Sequence, residues 1–289
     1  MRNRDGRAVG IEQRTRTLDK FRPLGRSAVL ALAFLAFASA IAAEDSPLVL
    51  LIQRLPREEM PNRSMQPLAD YIGALTGRRC SIVMPPNFPA YWEAVRRNGY
   101  DLAFDAPHFT DYRVQKFGFT VLVKTPETAS YSLLVREDAA ARDPAWLVGR
   151  RIASLGLLSI GTLRLNALFP NPMRQPVMVD VHSTEEAAEL LLAGNVEAAF
   201  LPTSLVGRRV GQTGIAVALT TEPIPRLALS ASPRLAPPLT DKIHDGLLRA
   251  HTTEGGRKML HAIGLDYLDA ATPEDFANQS YVLRGYWGY

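Results

Sequence analysis

Residues able to do chemistry are few and scattered along this chain. Its single cysteine, Cys80, opens the apolar stretch Ser81-Ile82-Val83-Met84, where a thiol packs as a small hydrophobe and lacks a partner for an internal disulfide. The histidines His108, His182, His244, His251 and His261 show none of the spacings of a closed zinc site. There is no nucleophile elbow, zinc-hydrolase motif, dinucleotide fingerprint or phosphate-binding lysine loop. Asp105 and His182 would form an acid/base pair only if folding brought them within hydrogen-bond reach. Ser183 followed three residues later by Glu186 makes a capping box, the start of a helix whose unpaired amides favour an anion. The expectation is binding without catalysis: not an enzyme, and no cofactor or metal.

The elements that would position such a site alternate short apolar runs with amphipathic stretches, the grammar of βα units and a mainly parallel sheet. Strand-like runs are Leu48 to Ile52, Ser81 to Met84 and Asp101 to Phe104. Between them lie a helix from Ser64 to Thr76, with Met65, Leu68, Ile72 and Leu75 at helical spacing and Gly77 as stop, and another from Pro89 to Asn98. The order then recurs: Arg151 to Ser154, a helix from Ser159 to Phe169, Val177 to Val181, a helix from Thr184 to Ala193, and Glu197 to Leu201. WEAVRRNGYDLAF, Trp92 to Phe104, aligns without gaps on AELLLAGNVEAAF, Ala188 to Phe200. Five elements repeated in order predict an α/β chain of two Rossmann-like lobes, and lobes of this kind bind ligands beyond the carboxyl ends of their strands.

Lys124 to Ala129 separates the halves, Tyr131 to Arg136 enters the second lobe as a strand, and the turn-rich Thr220 to Pro225 leads back to the run Leu227 to Leu229. The expected organisation is residues 1–43 as a signal peptide, 44–126 with 226–289 as the first lobe, and 127–225 as the second. Two crossings would make a two-strand hinge. Helices from Thr240 to His251 and from Thr253 to Ile263 would return to the first lobe.

Charge supports export rather than nucleic-acid binding. Eight of the 33 Lys and Arg precede Glu44 against three of the 29 acids, which leaves the remainder with a net charge of −1. The Arg-rich opening, the uncharged run Ser27 to Ala43 and the small residues Ala38-Ser39-Ala40 and Ala40-Ile41-Ala42 form a secretory leader. A retained membrane anchor is the alternative.

QPLADYIGALTG (Gln66 to Gly77), PAYWEAVRRNGYDLAF (Pro89 to Phe104), SYSLLVRED (Ser130 to Asp138) and VHSTEEAAELLLAGNVEAAF (Val181 to Phe200), with the segment Asp245 to Phe276, resemble in order and spacing the phosphate, phosphite and phosphonate solute-binding proteins of ABC transporters. The resemblance spans Pro47 to Ala277 and implies a type II periplasmic-binding fold, a periplasmic monomer, a small-molecule ligand and a membrane permease as partner. It also implies an oxyanion site at two helix starts: Gly156 to Thr162, with Ser159, Gly161 and Thr162, and His182-Ser183 ahead of the next helix. Tyr91 matches an aromatic residue of the family's first lobe, and Tyr131 opens the second-lobe strand.

Each assignment has a structural counterpart: Ser159 as an N-cap, His182 as a structural histidine, Tyr91 as helix packing. Two positions depart from the family pattern. Leu158 replaces a hydroxyl residue, and Asp105 stands where phosphonate binders have an aromatic. An exposed carboxylate there would repel an oxyanion unless a cationic ligand group or a basic side chain met it. The alternative to transport is an orphan sensor of the same fold that reports its ligand to a membrane partner.

Overall fold

In the computed structural model, residues 46–54, 64–156, 159–207, 214–285 and 289 are described. The leader and Leu158 lie outside them.

The first half builds the expected βαβαβ unit. Strand β1 (Leu48–Ile52) leads through α1 (Gln66–Thr76) to β2 (Cys80–Val83), then through α2 (Phe88–Arg97) to β3 (Leu102–Asp105). Pro67 lies in the first turn of α1, where a missing amide costs nothing, and Gly77 ends it at φ +74°. Asn87 caps α2 by accepting from the Ala90 amide at 3.0 Å. The chain continues through α3 (Pro107–Phe117) and β4 (Thr120–Lys124). The second half repeats the plan with β6 (Tyr131–Arg136), β7 (Arg151–Leu155), α4 (Ile160–Ala167), β8 (Val177–Val181), α5 (Thr184–Leu192), β9 (Ala198–Pro202), the short α6 (Thr203–Val206) and β10 (Ile215–Thr220). It returns by β12 (Ala228–Ala231), α7 (Pro237–Leu248), α8 (Glu254–Ile263) and β13 (Asp269–Ala270). Helix α7 begins three residues before the expected Thr240 because the Pro237-Pro238 pair can occupy a first helical turn.

Two sheets result. The first has the order β13-β4-β12-β3-β1-β2 and the second β10-β6-β9-β7-β8. In both, three parallel strands are followed by an antiparallel one that arrives from the other half: β12 against β3 and β6 against β9. The half-chain repeat extends to backbone conformation. Asn98 and Gly194, paired in the gapless alignment, turn α2 into β3 and α5 towards β9 at φ 52° and 71°. Such left-handed turns are open to glycine and asparagine at little cost.

A two-stranded ribbon, β5 (Thr128–Ala129) against β11 (Ile224–Pro225), lies on both connections between the sheets. Parallel strands share one carboxyl edge, so Ile52, Val83 and Asp105 end together, as do Leu155, Val181 and Pro202. Antiparallel β12 and β6 start at those same edges, Ala228 beside Asp105 and Tyr131 beside Pro202. The ribbon therefore joins the carboxyl edge of one sheet to the carboxyl edge of the other.

Leu48, Leu50 and Ile52 face Leu68, Ile72, Ile243 and Leu260 of α1, α7 and α8, all essentially buried. Each such side chain contributes about 1.5–3 kcal/mol relative to exposure. On the other face a cluster runs from Leu51, Tyr91 and Phe109 to Tyr131, Ile152 and Phe200 of the second sheet. A C-terminal 3-10 turn, Gln279–Leu283, is tied to this region by its Ser280 amide, which donates to buried Asp111 at 2.7 Å. Residues 46–289 form a single unit by contact.

Candidate functional site

At the carboxyl edge of the second sheet, two helices begin with a serine cap. Ser159 is extended, and its Oγ accepts from the Thr162 amide at 3.3 Å to start α4. Ser183 does the same for α5, accepting from the Glu186 amide at 3.1 Å, while the Glu186 carboxylate accepts from the His182 amide at 2.8 Å. That reach-back, to the residue before the cap, makes the Ser183–Glu186 pairing a variant of the expected box. The His182 side chain is exposed.

Thr162 is 1 % exposed, and its hydroxyl is committed locally: it donates to the Gly156 carbonyl at 3.0 Å and lies 2.9 Å from Ser154 Oγ. Gly161 has a steric role. A Cβ there would fall 2.6 Å from Cε1 of Tyr131, so the Tyr131 ring lies against the first turn of α4 only because Gly161 has no side chain. That ring also stacks on Phe200, with centroids 5.8 Å apart and planes at 17°. The structure thus gathers Tyr131, Ser159, Gly161 and Thr162 at one helix start and His182 with Ser183 at the next.

At the edge of the first sheet, Tyr91 and Asp105 meet in a closed network. Asp105 is 0 % exposed. It accepts from Arg113 Nη1 and Nη2 at 2.7 and 2.5 Å, from Thr110 Oγ1 at 3.1 Å and from the Tyr91 hydroxyl. Arg113 also reaches Ser230 Oγ of β12 at 3.4 Å, with the rings of Tyr100 and Phe119 at 5.8 and 5.6 Å. Burial, reinforced by the Asp105 charge, holds the Tyr91 phenol well above its ordinary range, so it remains a donor. Asp105 consequently does not present bare negative charge to a ligand; the basic side chain that meets it is Arg113.

No hydrogen bond joins Asp105 to His182: the carboxylate is enclosed by its own lobe's side chains, whereas the imidazole is exposed. Sequence reasoning missed Arg113 because α3 has no apolar stripe. Its first seven residues, Pro107 to Arg113, are all buried whatever their polarity, which erases helical periodicity. Pro107 at the start and Gly118 at the stop were the available signals. Two further polar groups accompany it. Gln53 Oε1 accepts from the Ala106 amide at 3.0 Å, bracing β1 against the start of α3. His108 is fully buried with neither ring nitrogen hydrogen-bonded, and burial followed by the nearby Arg113 charge pushes its pKa down to about 3.

Where the ribbon meets the second sheet lies a cavity of about 480 Å³ lined by Glu127, Ser130, Tyr131, Thr203, Ser204 and Arg226, among others. Its volume falls within the range of about 300–1,000 Å³ usual for small-ligand sites. Among the described residues no group of His, Cys, Asp and Glu is arranged to hold a metal ion.

Two α/β sheets with carboxyl edges joined by a ribbon define the type II periplasmic binding proteins as a class. The family model described as "ABC transporter, phosphonate, periplasmic substrate-binding protein" matches residues 55–276, and the chain belongs to that family. Similar solved structures include XAC2383 from Xanthomonas citri bound to ATP, at TM-score 0.66 and 17 % identity over 83 % of this chain and 98 % of that one. PhnD1 from Prochlorococcus marinus in complex with methylphosphonate gives TM-score 0.60 and 11 % identity over 83 % and 97 % of the two chains. The binding component of an ABC phosphonate transporter from Pseudomonas aeruginosa gives 0.54 and 12 % over 80 % and 83 %. No curated protein matched the sequence. The role is solute binding, and membership implies a small-molecule ligand and a permease partner.

Proposed function

We propose that the chain is exported by cleavage of its leader and captures a small phosphonyl or phosphoryl compound between the two sheets, closing about the β5–β11 ribbon. The observation that carries this reading is the pair of serine-capped helix starts, Ser159 and Ser183, on the carboxyl edge that the ribbon links to the first sheet. Helix N-terminal amides and the positive end of the helix dipole favour an oxyanion, and a capping hydroxyl can donate to it. His182 adds an exposed imidazole beside the second start. Tyr131 and Gly161 shape the first, while Thr162 supports it from within. Tyr91 and Asp105 act as scaffold of the opposing edge rather than as polar contacts. The methylphosphonate seen in the Prochlorococcus protein and the ATP seen in the Xanthomonas protein share a tetrahedral phosphorus oxyanion, which makes that group the natural probe.

Calorimetric titration of the purified protein with methylphosphonate, phosphate and ATP tests the reading. One of them should bind with one-to-one stoichiometry, and Ser159→Ala should weaken it by roughly ten- to a hundredfold, the loss of about one hydrogen bond to a charged group. Absence of heat and of any rise in melting temperature across the three compounds would count against it.

A further inference from the structure

The C-terminal turn touches both halves of the molecule. Past Phe276, which is buried with Val121 and Ala228 of the first sheet, Asn278 takes the left-handed conformation at φ 63°, one that asparagine tolerates, and the 3-10 turn Gln279–Leu283 follows. This turn packs against α3 of the first half and also against α4 of the second, the helix that begins at Ser159. It is a join between the halves separate from the β5–β11 ribbon.

Its two attachments differ in kind. On α3 it is held by polar bonds: the Ser280 amide donates to Asp111 at 2.7 Å, and buried Asp111 is itself fixed by Gln115 Nε2, which donates at 2.8 Å. The Tyr289 ring lies 5.7 Å from that of Tyr112 on the same helix, and its hydroxyl is 3.4 Å from Ser280 Oγ. Towards α4 the join is apolar. Val282 and Leu283 belong to the buried cluster that contains Leu163 and Leu165 of α4, and among the described residues no hydrogen bond links the turn to that helix. Arg164 Nε on α4 and Gln279 Oε1 on the turn are both buried without a hydrogen-bond partner. Apolar burial favours such a contact, while a donor and an acceptor left unpaired away from water oppose it. The α4 side is therefore the one that gives way.

We infer that the turn Gln279–Leu283 is a latch: it stays with α3, clasps α4, and biases the ligand-free protein towards the closed arrangement without locking it. This rests on the proposed closure about the ribbon. When the sheets part, α4 leaves the turn, and water reaches the unpaired nitrogen of Arg164 and oxygen of Gln279. Because α4 carries Ser159, the latch acts on the helix start assigned to the oxyanion. A closed arrangement partly populated before the ligand arrives reduces the ordering that the ligand must bring about.

Small-angle X-ray scattering of the full chain without ligand tests the latch in the wild type, Val282→Ala, Asp111→Asn and Ile243→Val. Val282→Ala trims the apolar contact, and Asp111→Asn gives up one of the two bonds that the carboxylate accepts, loosening the turn on α3. Ile243 lies in a separate core cluster, so Ile243→Val is a control that lowers the melting temperature and leaves the latch whole. Each latch variant should move the closed-to-open ratio by roughly three- to thirtyfold towards open, read as a larger radius of gyration in a protein that its melting curve shows to be folded. The control should keep the wild-type radius. Equal radii in all four ligand-free proteins, or the same increase in the control, would overturn the latch while leaving closure about the ribbon intact. A wild type whose radius does not change when calorimetry shows methylphosphonate bound would instead remove the closure reading, and the latch with it. Failure of methylphosphonate to bind would bear on the phosphonate reading alone, and the ligand-free comparison would still decide the latch.

Discussion

Asp105 shows how much one unseen neighbour changes the meaning of a residue. Read along the sequence it is an acid in a cleft; in the fold it is the acceptor end of a buried pair with Arg113, with Thr110 and Tyr91 filling its remaining capacity. Removing the carboxylate strands a guanidinium away from water, so Asp105→Asn should lower stability by about 3–5 kcal/mol in urea unfolding, whereas replacing both partners by apolar residues should cost much less. His108 makes a second, pH-dependent contribution. Its native pKa of about 3 is depressed, so as pH falls through about 6.5 the unfolded chain takes up a proton that the native protein refuses. Stability attributable to this group is complete above the unfolded pKa and is lost progressively down to about pH 3, with a slope approaching 1.4 kcal/mol per unit. Urea unfolding at several pH values should show that slope reduced in His108→Phe, which keeps a ring and carries no titrating group; an unchanged slope would assign the pH dependence elsewhere.

At the scale of elements, the strands and helices with strong apolar pattern were legible: β1, α1, β7, α5 and β9 lie where periodicity and the Gly77 and Ser183 signals put them. So was the repeat, down to the Asn98 and Gly194 turns. Helix α3 was not, because its first two turns are enclosed on every side and carry no stripe, and the ion pair it supplies stayed hidden with it. The closeness of Tyr131 to Gly161 was equally invisible, since 30 residues of chain separate two positions that the β6–β9 pairing and the start of α4 bring into contact. This contact makes a specific prediction about α4. Gly161→Ala forces the methyl onto the Tyr131 ring and should cost about 1–3 kcal/mol by overpacking, but far less in a Tyr131→Ala background. Equal costs in the two backgrounds, measured by a double-mutant cycle in urea, would mean that the ring is not what the glycine accommodates.

For the whole molecule, the sequence conveyed the class through order and spacing, and it left the chemistry of one edge open because burial and partnership are three-dimensional facts. The two sheets, the ribbon on both connections and the serine-capped helix starts fit the proposed enclosure of a ligand, and belonging to the phosphonate substrate-binding family implies a permease as the partner. A ligand favours the closed form only to the extent that it touches both edges. Small-angle X-ray scattering during a titration with methylphosphonate, phosphate or ATP reads this directly. Saturation with the bound compound should lower the radius of gyration and raise the melting temperature together; a scattering curve that stays the same at saturating ligand would contradict capture by closure about the ribbon.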